Sequence, residues 1–563
     1  MHAGQAATDQ GAEAPTHRSA FAATRAAPAD QPRHGVAAPE RSSPDSIVEV
    51  KPGVGDAPGL GGATGAAIAT RLVWAVVPCF NRPDDLRLLL EDMGRLDGVA
   101  GNDAPAGAGD DQRQAANPPV RLRLTVVDNA SAQPLDSLPV PAGLDIEFLR
   151  LPTNTGGAGG YNAGMAWAIR EGRRRADPAD FVWLVDSDVR LEPASLQGLV
   201  AALDARQDAA AVGSAVASLQ DDSIFEVGGR IERLYGQFGP RYGEGNLPKK
   251  RIVECTYTAA CSALVRREAI EATGLFPDVF LNGDDVEWFI RMRQRTGMKI
   301  LATTDSIIRH PTFGRYTTMP RYYMARNAFG PIDALGLGGR VRLFRALREV
   351  PRAVAQCMVG REDLASLHIK GLRHALERRT GAAPAGTIEF ERPRSFASLA
   401  ETLAPLLAAL PGGAAAQRVY MHKRVVLEAG KAREVEKQLA AAGLDAPRVQ
   451  RGVTPQDTEH MLKGVWGGLW RMLVAGPGAG VSVIHARGRP ASWARGRVQV
   501  LVSPEGFVVR RLDRRAALGS SLRTLVGGVG LSIGLAFRKR LPRGRDPLPR
   551  VADVEATLPG SAG

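Results

Sequence analysis

Continuous apolar runs recur along the first part of the chain and predict buried strands. They lie at residues 72–78 (LVWAVVP), 122–131, 145–152 and 181–189 (FVWLVDSDV). Between them, residues 84–93 and 163–171 place apolar side chains at helical spacing. Strands that alternate with helices at these intervals predict an α/β domain with a mainly parallel sheet and helices on both faces.

The later pattern predicts the end of this domain and a different C-terminal region. Residues 255–265 read as a strand, 234–250 as a long loop, and 284–297 as a helix whose C-cap is Gly297. After residue 330, helices are predicted at 341–376, 396–410 and 418–442, and short strands at 481–485, 498–502 and 507–509. We therefore predict a disordered segment at 1–70, the α/β domain at 71–330 with a surface insertion at 98–118, and a mostly helical region at 331–563.

Charge and cysteine usage narrow the function classes. The net charge is +13, but residues 331–563 alone carry about +18, so the α/β domain is not the basic part. The four cysteines are scattered without a CxxC pair or a histidine cluster, which argues against disulfides and structural zinc. Residues 1–10 lack the features of a secretory signal, so we expect a cytoplasmic protein.

Membrane contact is predicted at a surface, without a spanning helix. No run of about 18 apolar residues occurs. Two segments have the composition of interfacial helices: 461–475, which contains Trp466 and Trp470, and 522–537, which precedes the basic stretch RKRLPRGR. The alternative is a core helix beside a solvated run of charges, and the sequence leaves both open.

Acidic residues mark two candidate sites. Asp186 and Asp188 end a buried strand, where paired carboxylates suit a divalent cation that shares substrate phosphates, although acids at a helix N-terminus are an alternative. Asp284 and Asp285 begin a helix, either as complements to its dipole or as a general base. His310 follows a strand and is either structural or a metal ligand.

A glycine-rich stretch lies between a predicted strand and a predicted helix. The sequence NTGGAGG, residues 154–160, can form either a tight turn or a cradle of backbone N–H groups for an anion. It has neither the spacing of a dinucleotide-binding loop nor that of a P-loop.

Taken in order, seven motifs resemble those of the inverting glycosyltransferases of family 2, which have the GT-A fold. They are VVPCFNRP, VVDNAS, NTGGAGGYNAG, DSD, GDDVEWFIR, RHP and YYMARN, and they cover about residues 72–330. The resemblance is greatest to bacterial enzymes of the galactofuranosyltransferase and rhamnosyltransferase type.

The resemblance implies a role for each matching residue. It implies a nucleotide pocket lined by Pro78, Phe80, Asn81 and Asp128, a border to nucleotide and sugar formed by Asn154, Gly156 and Gly157, and Asp186 beside the ribose and diphosphate. It further implies Mn²⁺ or Mg²⁺ held by Asp186, Asp188 and His310, Asp285 as the catalytic base, and Asp284 beside it in the catalytic group, near the sugar or acceptor. Trp288, from its position beside these acids, is expected to contact the acceptor.

The function predicted from these observations is metal-dependent transfer of a sugar, such as galactofuranose or rhamnose, with inversion. The donor would be a nucleoside-diphosphate sugar, and the acceptor a hydroxyl of a cell-envelope glycan or lipid-linked molecule. The protein would act at the inner face of the plasma membrane, bound to anionic lipid. Two alternatives remain open: a nucleotidyltransferase with a related α/β core, and a nucleic-acid-binding protein, which the lack of interleaved aromatic residues in the basic region disfavours.

Overall fold

The computed structural model describes residues 70–99, 118–243, 245–311, 318–388, 391, 393–414, 417, 419–422, 429–444, 449–453, 481–485, 497–503, 506–538 and 549–559. The predicted disordered segment, most of the predicted insertion at 98–118, and the tryptophan-containing segment 461–475 lie outside these residues.

The strands of the α/β part are β1 (Arg71–Cys79), β2 (Val120–Asp128), β3 (Asp145–Arg150), β4 (Phe181–Val185), β5 (Arg190–Leu191), β6 (Ala209–Ser218), β7 (Ile224–Glu232), β8 (Gln237–Tyr242), β9 (Ile252–Cys255), β10 (Ser262–Arg266) and β11 (Lys299–His310). The helices between and after them are α1 (Pro83–Met93), α2 (Gly156–Arg174), α3 (Ser195–Asp204), α4 (Arg267–Thr273), α5 (Asp284–Thr296), α6 (Thr318–Asn327) and α7 (Phe329–Ala334).

These strands form one mixed sheet in which eight follow the order β3-β2-β1-β4-β10-β6-β11-β5, while β7 pairs with β6 and β8, and β9 pairs with β11. Strands β3, β2, β1 and β4 are mutually parallel, and β11 is parallel to β6, whereas β10 is antiparallel to both of its neighbours. The sheet is therefore mainly parallel, as predicted. Every side chain of β4 is buried, which explains its uninterrupted apolar sequence.

Three predicted elements of this part differ from the structure. The predicted strand 255–265 is two strands, β9 and β10, separated by residues 256–261. The predicted long loop at 234–250 contains β8, which pairs with β7 as a hairpin. Helix α2 begins at Gly156, so the glycine-rich stretch is its first two turns and not a loop. A side chain at Gly164 would lie 2.2 Å from Val76, so close packing on the sheet outweighs the weak helix propensity of glycine.

The C-terminal region combines helices with a second sheet. Its helices are α8 (Gly339–Leu347), α9 (Glu349–Met358), α10 (Glu362–Leu376), α11 (Leu399–Ala408), α12 (Ala429–Ala441), α13 (Arg514–Phe537) and α14 (Val551–Glu555). Strands β12 (Val419–His422), β13 (Val449–Val453), β14 (Val481–His485), β15 (Val498–Ser503) and β16 (Gly506–Arg511) form a sheet with the order β13-β12-β14-β15-β16.

The predicted helices of this region need two corrections. The stretch 341–376 is three helices instead of one, and 418–442 begins with strand β12. The valines of β12 and β14 pair in parallel and are buried, so sheet packing decides the local structure at Val419. The three predicted short strands are confirmed as β14, β15 and β16.

The last described segment returns to the α/β domain. Helix α14 packs on α2, and Val551 and Leu558 are buried in the core of that domain. The backbone N–H of Leu275 donates to the carbonyl of Pro549 at 3.0 Å, and Arg170 donates to the carbonyl of Pro559 at 3.1 Å. Residues 549–559 thus complete a core that begins almost five hundred residues earlier.

Among the described residues, one helix is long and apolar enough to cross a membrane by length and composition alone. It comprises Arg515–Phe537, within α13, and 28% of its most apolar stretch is buried. The sequence did not predict such a helix, because glycine, serine and threonine interrupt the apolar run.

Candidate active site

Three metal-binding side chains meet at the end of the sheet. Asp186 and Asp188 lie in the turn after β4, and His310 is the last residue of β11. One ligand atom from each residue lies within 4.8 Å of those of the other two. The short strand β5 pairs antiparallel with β11, which draws the turn after β4 toward His310. The sequence-predicted metal ligands are therefore brought together.

Hydrogen bonding prepares His310 as a ligand. Its Nδ1 lies 2.5 Å from the carbonyl oxygen of Pro311 and is placed to donate to it, which in the neutral ring would leave Nε2 as the ligand atom for a cation. Nε2 lies 3.6 Å from Asp186 Oδ2 and 3.5 Å from Asp188 Oδ1. Burial lowers the pKa of His310, but the two carboxylates outweigh that effect and raise it.

An arginine neutralises part of this acidic pair. Arg82 Nη1 lies 2.7 Å from Asp188 Oδ2, while Oδ1 of the same carboxylate faces His310. Burial raises the pKa of Asp188, and the charge of Asp186 raises it further. Two carboxylates and an imidazole fit a Mn²⁺- or Mg²⁺-sized cation, whose charge would relieve this repulsion.

A short chain of contacts joins this cluster to Asp285. The Tyr161 hydroxyl donates to Asp186 Oδ1 at 2.7 Å and also lies 3.2 Å from the carbonyl oxygen of Ala260. The N–H of the same Ala260 donates to Asp285 Oδ2 at 3.4 Å. The metal-binding group and the predicted base therefore lie close together, joined through Ala260, although they are about a hundred residues apart in sequence.

The loop that carries the second acidic pair has an unusual backbone. Phe280, Asn282 and Gly283 have φ angles of 67°, 65° and 83°. Such angles are costly for residues with a Cβ and persist only where the surroundings impose them. Asn327 imposes them here: its Nδ2 lies 3.1, 2.7 and 3.1 Å from the carbonyl oxygens of Val279, Leu281 and Asn282. We name residues 279–283 the base loop.

The two carboxyl groups after the base loop differ in acidity. Burial, only partly offset by the N–H groups of Val286 and Ala260, raises the pKa of Asp285 to about 6. Burial and the neighbouring charge of Asp285 raise the pKa of Asp284 to about 8. As pH rises, Asp285 therefore ionises before Asp284, so that an ionised Asp285 is suited to accept a proton while Asp284, still protonated, is suited to donate a hydrogen bond.

The start of α2 touches the base loop. Gly156 has φ 75°, and a Cβ there would lie 2.0 Å from the carbonyl oxygen of Phe280. Asn154 Oδ1 accepts from the N–H of Gly156 at 2.8 Å. At Gly157 the nearest atom to an added Cβ is 3.8 Å away. Gly156 is thus required by contact, whereas Gly157 leaves space in front of the helix.

The predicted nucleotide-pocket residues lie at the ends of β1 and β2. Phe80 is exposed, and Asn81, with φ 54°, accepts through Oδ1 from the N–H of Ala132 at 2.7 Å. Pro78 packs against Gly160. Asp128 is buried, paired with Arg150, and accepts from the N–H of Ser131 at 2.8 Å, so both its oxygens already have partners.

Residues 74–274 match the family model described as glycosyl transferase family 2. The chain carries a glycosyl transferase family 2 domain. The predicted enzyme class, a glycosyltransferase, and the predicted α/β fold are therefore confirmed. Of the candidate residues, Asp128, Asp186 and Asp188 lie within the matched range, whereas Asp285 and His310 follow it.

Individual proteins are also similar to this glycosyltransferase. Galactofuranosyltransferase GlfT1 of two Mycobacterium tuberculosis strains is 26% identical over 250 residues, which is 43% of this chain and 71% of the relative. A structure of S. aureus TarS with UDP-GlcNAc is 12% identical with a TM-score of 0.34, covering 66% of this chain and 90% of that one. A mannosyltransferase from Pyrobaculum calidifontis, in complex with GDP-Man and Mn²⁺, is 16% identical with a TM-score of 0.31, covering 66% and 86%.

One predicted site residue of the glycosyltransferase lies elsewhere. Trp288 is fully buried, its Nε1 donates to the carbonyl of Gly274 at 2.8 Å, and its ring packs edge-on against Phe276. A ring with no exposed surface cannot contact an acceptor, so the predicted acceptor contact is corrected to a packing role. Helical spacing places residue 288 one turn after Asp284, on the face that enters the core.

Three residues of the cleft were missed by the sequence analysis: Arg82, Tyr161 and Glu226. Glu226 lies on β7 and is 7% exposed, and its carboxyl is close enough to Asp285 and His310 for their charges to act on it. Burial, reinforced by Asp285, raises the pKa of Glu226 to about 8. Its signal in the sequence was a single acid inside the otherwise apolar and glycine-rich strand IFEVGG.

Proposed function

We propose that the glycosyltransferase moves a sugar from a nucleoside-diphosphate donor to an acceptor hydroxyl with inversion at the anomeric carbon. The observation that carries this proposal is the continuous contact from Asp186 through Tyr161 and Ala260 to Asp285. This contact supports the proposal because it brings a candidate cation-binding group and a candidate base close enough together to act on one donor and its acceptor.

The diphosphate side of the cleft is assigned to Asp186, Asp188 and His310. These residues would hold Mn²⁺ or Mg²⁺, and the bound cation would stabilise the charge that grows on the departing nucleoside diphosphate. Arg82, whose guanidinium already contacts Asp188, lies where it can contact a phosphate oxygen as well. Asn81, Asn154 and Gly157 are proposed to border the nucleotide and sugar, together with Pro78 and Phe80.

The acceptor side is assigned to Asp285 and Asp284. The acceptor oxygen forms a bond to the anomeric carbon as the bond to the diphosphate breaks, and its proton passes to the Asp285 carboxylate. Asp284 and Glu226, both held protonated at neutral pH by burial, would donate hydrogen bonds to sugar hydroxyls. Three acids in one cleft thus avoid carrying three charges.

The donor sugar is proposed to be galactofuranose or a sugar of similar kind, from the similarity to galactofuranosyltransferase GlfT1. The acceptor is proposed to be a cell-envelope glycan or a lipid-linked molecule, reached at the cytoplasmic face of the membrane. Structures of similar fold with UDP-GlcNAc or GDP-Man leave the nucleotide to be measured.

A thermal-shift screen of nucleotide sugars with and without Mn²⁺ tests the assignment. The matching donor should raise the melting temperature only when Mn²⁺ is present, and Asp188→Ala should remove that dependence. Asp285→Asn should keep the donor-induced shift but lower transfer by roughly 10²- to 10⁴-fold, the usual contribution of a general base. A donor shift that is equal with EDTA would refute the metal assignment, and undiminished transfer by Asp285→Asn would refute the base.

A further inference from the structure

Helix α13 (Arg514–Phe537) buries mainly small and polar side chains and exposes large apolar ones, which is the reverse of the usual pattern for a helix on a protein surface. The face that packs on α8, α9 and α10 is mostly small or polar, and Ala517, Ser521, Gly528 and Ser532 are buried there, joined near the C-terminal end by Leu535. The hydroxyls of Ser521 and Ser532 donate to carbonyls of their own helix at 2.7 and 2.8 Å. Close packing of small residues therefore attaches the helix.

Large apolar side chains occupy the neighbouring, outward-facing arc of the helix. They are between 41% and 82% exposed, and they are Leu518, Leu522, Leu525, Val526, Ile533 and Phe537. At 100° per residue these positions fall within an arc of about 120°. We call this set the apolar stripe. The helix has 24 residues, so the stripe runs along most of a length of about 36 Å. Monomeric proteins rarely expose a continuous patch of this kind without a partner for it.

The helix is fixed lengthwise to the protein. Arg342 Nε donates to the carbonyl of Leu535 at 3.1 Å, and its Nη2 donates to the carbonyl of Arg538 at 2.8 Å. Arg538 in turn is paired with Asp333. A helix held along one side by a folded bundle cannot be surrounded by lipid, but it can lie in the plane of an interface with its free face toward the acyl chains.

The basic residues near the apolar stripe indicate which kind of surface it binds. In sequence, residues 514–545 contain eight lysines and arginines and no acidic residue, with Arg514 and Arg515 before the stripe and RKRLPRGR after it, and of these Arg538 is already paired with Asp333. Arg523 flanks it and is exposed. An apolar strip between basic ends matches an anionic bilayer, which offers acyl chains below a negatively charged surface.

We propose that the apolar stripe of α13 docks the enzyme onto an anionic membrane surface. The inference does not depend on the proposed reaction, because vesicle binding requires neither donor nor turnover. Docking sets α13 parallel to the bilayer and confines the enzyme to the surface, where a lipid-linked acceptor would be found.

Co-sedimentation of the full chain with vesicles tests this surface. Vesicles of phosphatidylcholine with phosphatidylglycerol, in roughly a 7:3 ratio, are compared with phosphatidylcholine alone. The enzyme should sediment with the anionic vesicles, and more weakly as salt is added. The double substitution Leu522→Ser with Val526→Ser should weaken binding by at least about tenfold. A matched control, Leu219→Ser with Leu247→Ser, changes two leucines that are also exposed but lie outside the stripe.

The control should bind as the unchanged protein does, and both variants should retain its thermal unfolding. Vesicle binding that the stripe variant retains, or that is absent from the unchanged protein, would overturn the proposal. Equal binding to neutral vesicles would overturn the choice of an anionic surface. If light scattering shows an oligomer that the stripe substitutions dissociate, the stripe is a contact between copies of the chain and the lipid proposal is wrong.

Discussion

Asn327 offers a direct test of how the base loop is held. Its side-chain amide reaches three carbonyl oxygens of residues 279–282 at 2.7 to 3.1 Å. Because an amide has only two N–H groups, these contacts amount to two hydrogen bonds, worth about 1 kcal/mol each, plus the cost of leaving the carbonyls of Leu281 and Asn282 without this donor, since Arg326 also donates to Val279. We estimate about 2–4 kcal/mol of local stabilisation in all.

The loop stores a comparable strain. Phe280 and Asn282 have φ angles of 67° and 65°, and each such conformation costs about 1–2 kcal/mol in a residue with a side chain. The strain of the base loop is close to the stabilisation that the Asn327 amide provides. Removing the amide should therefore let the loop relax while the rest of the protein stays folded. The first residues to move would be those that aim Asp284 and Asp285.

We therefore expect Asn327→Ala to lower kcat by about 100-fold, since a displacement of roughly 1 Å at a reacting group has that effect. The melting temperature should fall by only a few degrees. Donor affinity, measured by titration with the nucleotide sugar found in the thermal-shift screen, should change little, because the cation-binding residues lie on other elements.

Asn162→Ala is the matched control. Asn162 is equally buried, and its amide makes two hydrogen bonds to the backbone of Phe276 at 2.8 and 3.0 Å. It should lower the melting temperature by a similar amount with a much smaller loss of kcat. If both variants lose kcat equally, or if Asn327→Ala keeps kcat within about threefold, the base loop does not depend on this amide and the reasoning fails.

Three further predictions concern acidity and packing. First, kcat/KM should fall about tenfold per pH unit below about pH 6, since Asp285 must be ionised to act as a base; a flat profile down to pH 5 would exclude that role. Second, Glu226→Gln should raise the free energy of unfolding at pH 8 by about 2–4 kcal/mol and leave it unchanged at pH 4. A carboxyl whose pKa is raised by folding destabilises the folded state as pH rises from its unfolded pKa near 4.5 to its folded pKa of about 8. Denaturant unfolding at both pH values measures this, and Glu268→Gln on the surface should show no such difference. Third, Gly156→Ala should unfold at a much lower temperature than Gly157→Ala, whose added methyl group meets nothing closer than 3.8 Å; equal melting temperatures would contradict the contact with Phe280.

The metal-binding end of the sheet was predictable because its signal is local. An uninterrupted apolar run followed by Asp186 and Asp188 specifies both a buried strand and acids at its end. Helix α5 was equally clear, since apolar spacing and Gly297 define its bounds. Such patterns report on the face that a residue occupies and on where an element ends.

The features that the sequence analysis missed or misassigned depend on contacts between residues that are distant in sequence. Glu226 is important only because its strand faces Asp285, and strand order is not written in a local pattern. Trp288 was misassigned because a tryptophan beside acids suggests a ligand contact, whereas its partners Phe276 and Phe289 decide that it is core. At Gly156 the glycine pattern predicted a loop, but the carbonyl of Phe280 and the packing of α2 on the sheet determine the conformation.

The position of α14 has a consequence for biosynthesis. Its Val551, with Leu558 beyond it, covers apolar surface on α2, which leaves the ribosome about 380 residues earlier. At 5–20 residues per second the growing chain exposes that surface for roughly 20–80 s. The nascent polypeptide is thus open to aggregation or chaperone capture during that interval, and this part of the core is complete only once α14 has been made.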